Sequence, residues 1–136
     1  MDDRQGELSI GRESDVIVVR QTVRKITKLL GMGLTDTTRV VTAASELARN
    51  IFLYAESGVM RWNVIDTPSC QGIELVFVDQ GPGIPDIGQA MQEGYTTSKG
   101  LGMGLPGSRR LVDEMEIVSA VGKGTTVTIK KWNRRS

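Results

Sequence analysis

Apolar residues recur at helical spacing between Ser14 and Leu30: Val16, Val19, Val23, Ile26 and Leu30 share one side, while Arg20, Arg24 and Lys28 fall on others. This pattern predicts a first helix, which Gly31 and Gly33 end. A second helix is expected to open at Thr35 or Asp36 and run to about Ala55, burying Val40, Ala44, Leu47 and Ile51. The pattern then changes to runs rich in β-branched and aromatic residues. "VMRWNVI" and "IELVFVD" read as an antiparallel pair across the turn-prone "DTPSCQG", with "ELSI" as a short strand near the start. From Gln80 to Gly104 the chain is rich in Gly, Pro, Thr and Ser, with one short helical stretch expected around Ile87 to Glu93. A helix over Leu105 to Val112 follows. The segment "MEIVSAVGKGTTVTIKKW" then gives two strands joined at Gly122 to Gly124. The expected architecture is a sheet with helices on one face.

Composition narrows the possible chemistry. The 136 residues, 39% of them apolar, suit one domain with a two-layer core, and residues 1–136 show neither repeat nor linker. Lysine and arginine number 17 against 16 acids, a net charge of +1, which offers no electrostatic reason to expect nucleic acid or an anionic membrane. The single cysteine, Cys70, has no partner for an internal disulfide, and the charged start "MDDRQGELS" resembles neither a signal peptide nor a span, so a cytoplasmic protein is expected. Histidine is absent, which removes the commonest general base and any phosphohistidine chemistry on this chain.

Three polar clusters carry chemical potential. In "SELARN", Glu46 and Asn50 lie four residues apart, about 40° from one another on a helix, so they share a face. Such a pair is compatible with an ordinary solvated face as well as with a cleft. In "DQGPGIPD", Asp79 ends an apolar strand ahead of Gly81 and Gly83. A carboxylate there either caps a tight turn or accepts a hydrogen bond from a ligand amine. The run "GLGMGLPG" matches a dinucleotide fingerprint at Gly102, Gly104 and Gly107, but "YTTSK" precedes it where a buried strand is required. A P-loop is also excluded, because Lys99 and Lys123 are each followed by glycine rather than by the Lys-Ser/Thr pair. The remaining readings are a hinge, or a phosphate cradle that leads into a helix start at Leu105 or Pro106 with Lys99 adding charge.

Taken in order, the Glu46/Asn50 helix, "DQGPG", "GLGMGL" and "GKGTT" resemble the N box, the glycine boxes and the trailing Gly-Thr of the ATPase superfamily shared by gyrase, the Hsp90 chaperones, histidine kinases and MutL. Within it, "SELARNIFLYA", "DQGPGIPDI" and "GLGMGLPGSRRLVDE" are similar to the small serine-protein kinases of bacterial partner-switching systems over nearly the whole chain. The resemblance implies the α/β sandwich called the Bergerat fold, with a mostly antiparallel mixed sheet and an ATP lid over about residues 84–104. It implies that Asn50 ligates Mg²⁺, that Asp79 reads the adenine amino group, and that Gly81 and Gly83 line the base pocket with Thr125 supporting the base. Lys99, Gly100, Gly102, Met103, Gly104 and Leu105 would gather about the phosphates, and Glu46 would act as catalytic base. An aspartate facing the purine six-position favours ATP over GTP.

The implied activity is transfer of the γ-phosphoryl group to a serine or threonine of a STAS-domain antagonist or scaffold. Release from that substrate would then allow binding and activation of a PP2C-type phosphatase. Anti-sigma-factor relatives carry an Asn-Ala pair and a nearby histidine in the N-box helix, whereas this chain has Asn50-Ile51 and no histidine. Two alternatives stand beside the kinase reading: an anti-sigma-factor-type kinase, and a non-catalytic ATP-binding adaptor. The first helix and the lid are expected to meet partners, although the row Arg20, Arg24 and Lys28 reads first as an ordinary solvated face, and Tyr95 and Met103 read also as lid packing.

Overall fold

The first helix, α1 (Glu13–Leu29), begins where the Asp15 carboxylate accepts the backbone N–H groups of Gly11 at 2.8 Å and Arg12 at 3.1 Å, satisfying two donors at the helix entrance. It ends in a Schellman motif. Gly31 takes a φ of +69°, its N–H bonds the Lys28 carbonyl, and the Met32 N–H bonds that of Thr27. The five apolar residues read from the sequence, Val16, Val19, Val23, Ile26 and Leu30, are all buried. The second helix, α2 (Leu34–Tyr54), is richer in small residues. Ala43, Ala44 and Ala48 are fully buried beside Val40, Leu47 and Ile51, so α2 lies close against its neighbours.

In the computed structural model, which describes residues 4–83 and 105–134, the remaining elements are β1 (Gln5–Ile10), β2 (Gly58–Asp66), β3 (Cys70–Asp79), the short α3 (Leu105–Leu111), β4 (Glu114–Ala120) and β5 (Gly124–Arg134). The strands form one sheet in the order β1-β2-β3-β5-β4, and every pairing is antiparallel. The parallel component of the expected mixed sheet is therefore missing among the described residues. β3 and β4 do run in the same direction, but β5 inserts between them and pairs with both.

Alternation along the strands sorts the two faces. Met60, Ile73, Leu75, Phe77, Val127 and Ile129 point to the helical layer and are buried. Glu7–Arg61 and Glu74–Lys130 ion pairs lie on the open face. Lys131 is a charged residue on the inner face. Its ammonium is 3.5 Å from Asp36 and 3.8 Å from Asp113, tying β5 to the start of α2 and to the turn before β4. The strands also extend beyond the runs read from the sequence. β3 begins at Cys70 because Thr67 closes the hairpin, its hydroxyl bonded to the Cys70 carbonyl and its oxygen accepting the Cys70 N–H. The expected helix near Ile87 to Glu93 lies outside the described residues.

Candidate functional site

One cross-strand row on the inner face organises the site. Register aligns Ile10, Gly58, Asp79, Thr125 and Ser119 across the five strands, so the row is apolar at the β1 side and polar over β3, β5 and β4. The next row, one pleat inward, carries Met60, Phe77, Val127 and Ile117. A cleft opens where α2 faces these two rows. Phe77 and Val127 form its floor, Leu47, Asn50, Ile51 and Tyr54 its helical wall, and Asp79 with Thr125 its polar end. Pro82, Gly83 and Leu105 complete the rim.

Asp79 is held by backbone groups. Its Oδ1 accepts the Gly81 N–H at 2.9 Å, and the nearby Thr125 backbone amide also favours the charged carboxylate. Burial nevertheless dominates and raises its pKa above the ordinary 3.8, with the two backbone donors acting in the opposite direction. This carboxylate thus sits in a setting that disfavours its charge, at the end of an apolar slot, with acceptor capacity to spare for a donor in that slot.

The glycines around Asp79 serve close approach of one backbone segment to another. At Gly83, with φ +80°, a Cβ would lie 2.2 Å from the Ala120 carbonyl oxygen, and the neighbouring Pro82 carbonyl accepts the Gly122 N–H. At Gly124, with φ +87°, a Cβ would lie 2.1 Å from the Asp79 carbonyl oxygen. At Gly81 it would meet the Cβ of Ala55 at 2.6 Å. The "DQGPG" turn is therefore clamped between the end of α2 and the β4–β5 turn, which fixes where the Asp79 side chain stands.

The structure brings together Asn50, Asp79, Gly83, Leu105 and Thr125, with Gly81 directly behind them. Glu46 stands one turn before Asn50 but does not line the cleft; its Oε1 accepts a hydrogen bond from Arg49 Nη1 at 3.2 Å, and it is about one-third exposed. Lys99, Gly100, Gly102, Met103 and Gly104, with Tyr95, lie outside the described residues. Arg20, Arg24 and Lys28 line a separate hollow between α1 and α2 with Met32 and Leu34. Sequence reasoning missed Tyr54, Ala55, Pro82 and the apolar floor. Tyr54 and Ala55 each lie four residues, one helical step, beyond Asn50 and Ile51, a signal present in the helical period. Ser119, whose hydroxyl is 2.8 Å from that of Thr125, was also missed, for a Ser on an edge strand carries no signal of its own.

Among the described residues no three His, Cys, Asp or Glu side chains converge on a metal, and no helix is long and apolar enough to cross a membrane. The Asn50 amide places an oxygen donor on the helical wall. A neutral amide suits a hard cation that arrives with phosphate oxygens and keeps its own waters.

An antiparallel sheet layered with helices, with a slot running from a helix-borne Asn to a strand-end Asp, defines an ATPase domain of the kind shared by kinases, topoisomerases and chaperones. The chain belongs to the family described as "Histidine kinase-, DNA gyrase B-, and HSP90-like ATPase", which matches residues 35–135. It is 45% identical over 130 residues to the serine/threonine-protein kinase RsbT of Bacillus subtilis, covering 96% of this chain and 98% of that one. It is 32% identical over 132 residues to the anti-sigma F factor of Geobacillus kaustophilus, covering 92% and 89% respectively. Among solved structures, the catalytic domain of the histidine kinase ThkA shares the fold with a TM-score of 0.53 at 15% identity, covering 94% of this chain and 96% of that one. The histidine kinase domain of a blue-light-activated kinase from Erythrobacter litoralis matches with the same TM-score at 19% identity, over 85% of this chain and 59% of its own length.

Proposed function

We propose that this chain is an ATP- and Mg²⁺-dependent serine/threonine protein kinase of a bacterial partner-switching pathway. In this reading it phosphorylates a STAS-domain antagonist or scaffold and, once released, binds and activates a PP2C-type phosphatase. The observation that carries the reading is the polar end of the cleft: Asp79 and Thr125 side by side in register above an apolar floor, facing Asn50 on α2. The likeness to RsbT over nearly its full length supports the kinase activity and the pathway class.

The adenine ring lies in the slot over Phe77 and Val127, and its amino group donates to Asp79. Asn50, together with phosphate oxygens, would hold the Mg²⁺, which would supply charge neutralisation at the phosphates. Glu46, held by Arg49, orients the acceptor hydroxyl of the partner protein. The hydroxyl oxygen bonds to the γ-phosphorus as the bridge to the β-phosphate breaks. ADP leaves, and the hydroxyl proton passes to Glu46. Gly81 and Gly83 fix the rim of the base pocket. Lys99, Gly100, Gly102, Met103, Gly104 and Leu105 serve the phosphates.

The test is transfer of label from γ-labelled ATP to a STAS-domain protein by the wild type, Glu46→Gln and Asp79→Asn. Label on serine or threonine that is lost in both variants is the expected result. The position of Glu46 outside the cleft lining, paired with Arg49, favours one second reading, a non-catalytic ATP-binding adaptor. Under that reading Glu46→Gln binds ATP and its partners like the wild type, and no label moves.

A further inference from the structure

We propose that the exposed side of α2 is the docking strip for the acceptor segment of the partner protein, where Arg49 binds a carboxylate close to the acceptor serine or threonine and Leu53 packs against an apolar side chain beyond it. The proposal rests on the kinase reading, in which Glu46 is the base, and names the kind of segment that this base meets.

Glu46 stands one turn before Asn50 and does not line the cleft, so a hydroxyl that it orients approaches over the exposed side of α2. That side is narrow. Val40, Ala43, Ala44, Leu47, Ala48 and Ile51 are buried, which leaves Arg39, Thr42, Glu46, Arg49 and Leu53 on the face turned away from the core. At about 100° per residue, Arg49 lies about 60° and Leu53 about 20° to one side of Glu46, with Asn50 about 40° to the other. A segment whose hydroxyl reaches Glu46 from this side therefore lies against Arg49 and Leu53.

Arg49 is equipped for a second partner. Its Nη1 donates to Glu46 Oε1 at 3.2 Å, and Glu46 is its one polar partner among the described residues. A guanidinium carries five N–H groups in a planar fork, and this side chain is 45% exposed, so donors remain for a carboxylate that arrives from outside. An exposed ion pair at this helical spacing adds little to stability, so the fold does not depend on it. Leu53, one turn beyond Arg49, is 47% exposed and gives the strip an apolar end. A segment with an acid close to its serine or threonine and an apolar residue beyond it matches this order. Once docked, it leaves Arg49 between two carboxylates, with Glu46 still held for the hydroxyl. A lysine or arginine in place of the acid meets the like charge of the guanidinium.

The experiment measures phosphoryl transfer to a STAS-domain protein, and binding of that protein to the ATP-loaded full chain, in wild type, Arg49→Gln, Arg49→Glu and Leu53→Ala, with ATP affinity determined in parallel. Arg49→Gln should raise the KM for the acceptor protein roughly 10-fold or more, the worth of a hydrogen bond to a charged group, while ATP binds as before. Leu53→Ala should raise the same KM and leave kcat alone. Arg49→Glu should all but abolish binding of the acceptor protein, and replacing one Asp or Glu near its acceptor residue by Lys should restore it, a reciprocal rescue that a merely structural pair does not give. An unchanged KM in the Arg49 variants, a loss confined to kcat, or the failure of every such acid-to-Lys change to rescue overturns the proposal and leaves the kinase reading intact. So does weaker binding of a PP2C-type phosphatase with the acceptor KM unchanged, which gives the strip to that partner. A wild type that labels no acceptor overturns the kinase reading and the proposal with it.

Discussion

Replacing Asp79 by Asn should move binding and stability in opposite directions. The change keeps the size of the side chain and leaves an oxygen for the Gly81 N–H, so the turn survives. The rest of the group becomes an NH₂ donor where an amine donor is expected from the ligand. A hydrogen bond to a charged acceptor contributes about 1.5–3 kcal/mol, so ATP affinity should fall roughly 12- to 160-fold. At an ATP concentration about 100 times the wild-type Kd, bound nucleotide stabilises the wild type by about 2.7 kcal/mol; the variant at the same concentration should gain only about 0.3–1.3 kcal/mol.

Without nucleotide the sign reverses. Burial raises the Asp79 pKa in the fold, so the folded state binds a proton more tightly than the unfolded chain does. The stabilising contribution of the protonated form is complete below the unfolded value near 3.8 and is lost as pH rises through the raised folded value. At neutral pH the ionised carboxylate therefore weakens the fold, and Asp79→Asn should melt at or above the wild-type temperature, the gap narrowing as pH falls toward 4. Thermal melts from pH 7 to 4, with and without ATP, read both effects. A variant that is less stable than wild type at pH 7 without ATP, with unchanged nucleotide binding, would refute the reasoning and make Asp79 a turn cap.

Three further outcomes follow from the packing. Gly83→Ala should lose stability, since a left-handed φ costs a non-glycine residue roughly 1–2 kcal/mol before the Ala120 oxygen at 2.2 Å is displaced; urea unfolding measures it, and a loss below about 1 kcal/mol would contradict it. Ser108 on α3 is 1% exposed and its hydroxyl has no partner among the described residues, so Ser108→Ala should raise stability by about 1–2 kcal/mol, seen as an increased melting temperature. Phe77→Ala empties the floor of the cleft and should cost about 3–5 kcal/mol in chemical denaturation, with nucleotide binding weakened as well.

The helices were legible because Val16, Val19, Val23, Ile26 and Leu30 repeat with the period of a helix whose one face is buried, and burial follows that list. The strand β3 was legible only in part. "IELVFVD" carries the apolar signal, whereas Cys70, Gln71 and Gly72 join the strand through pairing with Arg134, Asn133 and Trp132, a tertiary effect that no local pattern shows. The same holds for the order of the sheet. β5 lies between β3 and β4, and nothing in the hairpin "VSAVGKGTTV" says which of its strands faces inward. In the site, Asp79 and Asn50 announced themselves as polar residues at informative places, and Thr125 came only through the resemblance carried by "GKGTT". Glu46 announced itself equally well and lies off the cleft lining, because four residues of helix set a shared face and not a shared destination.

The glycines of "DQGPG" and "GKGTT" connect these observations. Read as sequence, they suggest room for a ligand. In the structure, Gly83 meets Ala120 and Gly124 meets Asp79, so both are places where the two polar segments touch backbone to backbone. That contact has a functional consequence: the strand end bearing Asp79 and the turn bearing Thr125 cannot move apart without breaking it, and the bond from Gly122 to the Pro82 carbonyl reinforces it. The polar pair at the end of the slot, Asp79 and Thr125, is therefore preorganised by the sheet. α2, across the cleft, brings Asn50 and, one turn earlier, Glu46. Under the proposed ATP reading, recognition of the base would belong to the rigid layer and chemistry at the phosphates to the helical one. A substitution in the glycine clamp should accordingly alter which nucleotide binds before it alters how fast phosphate is transferred.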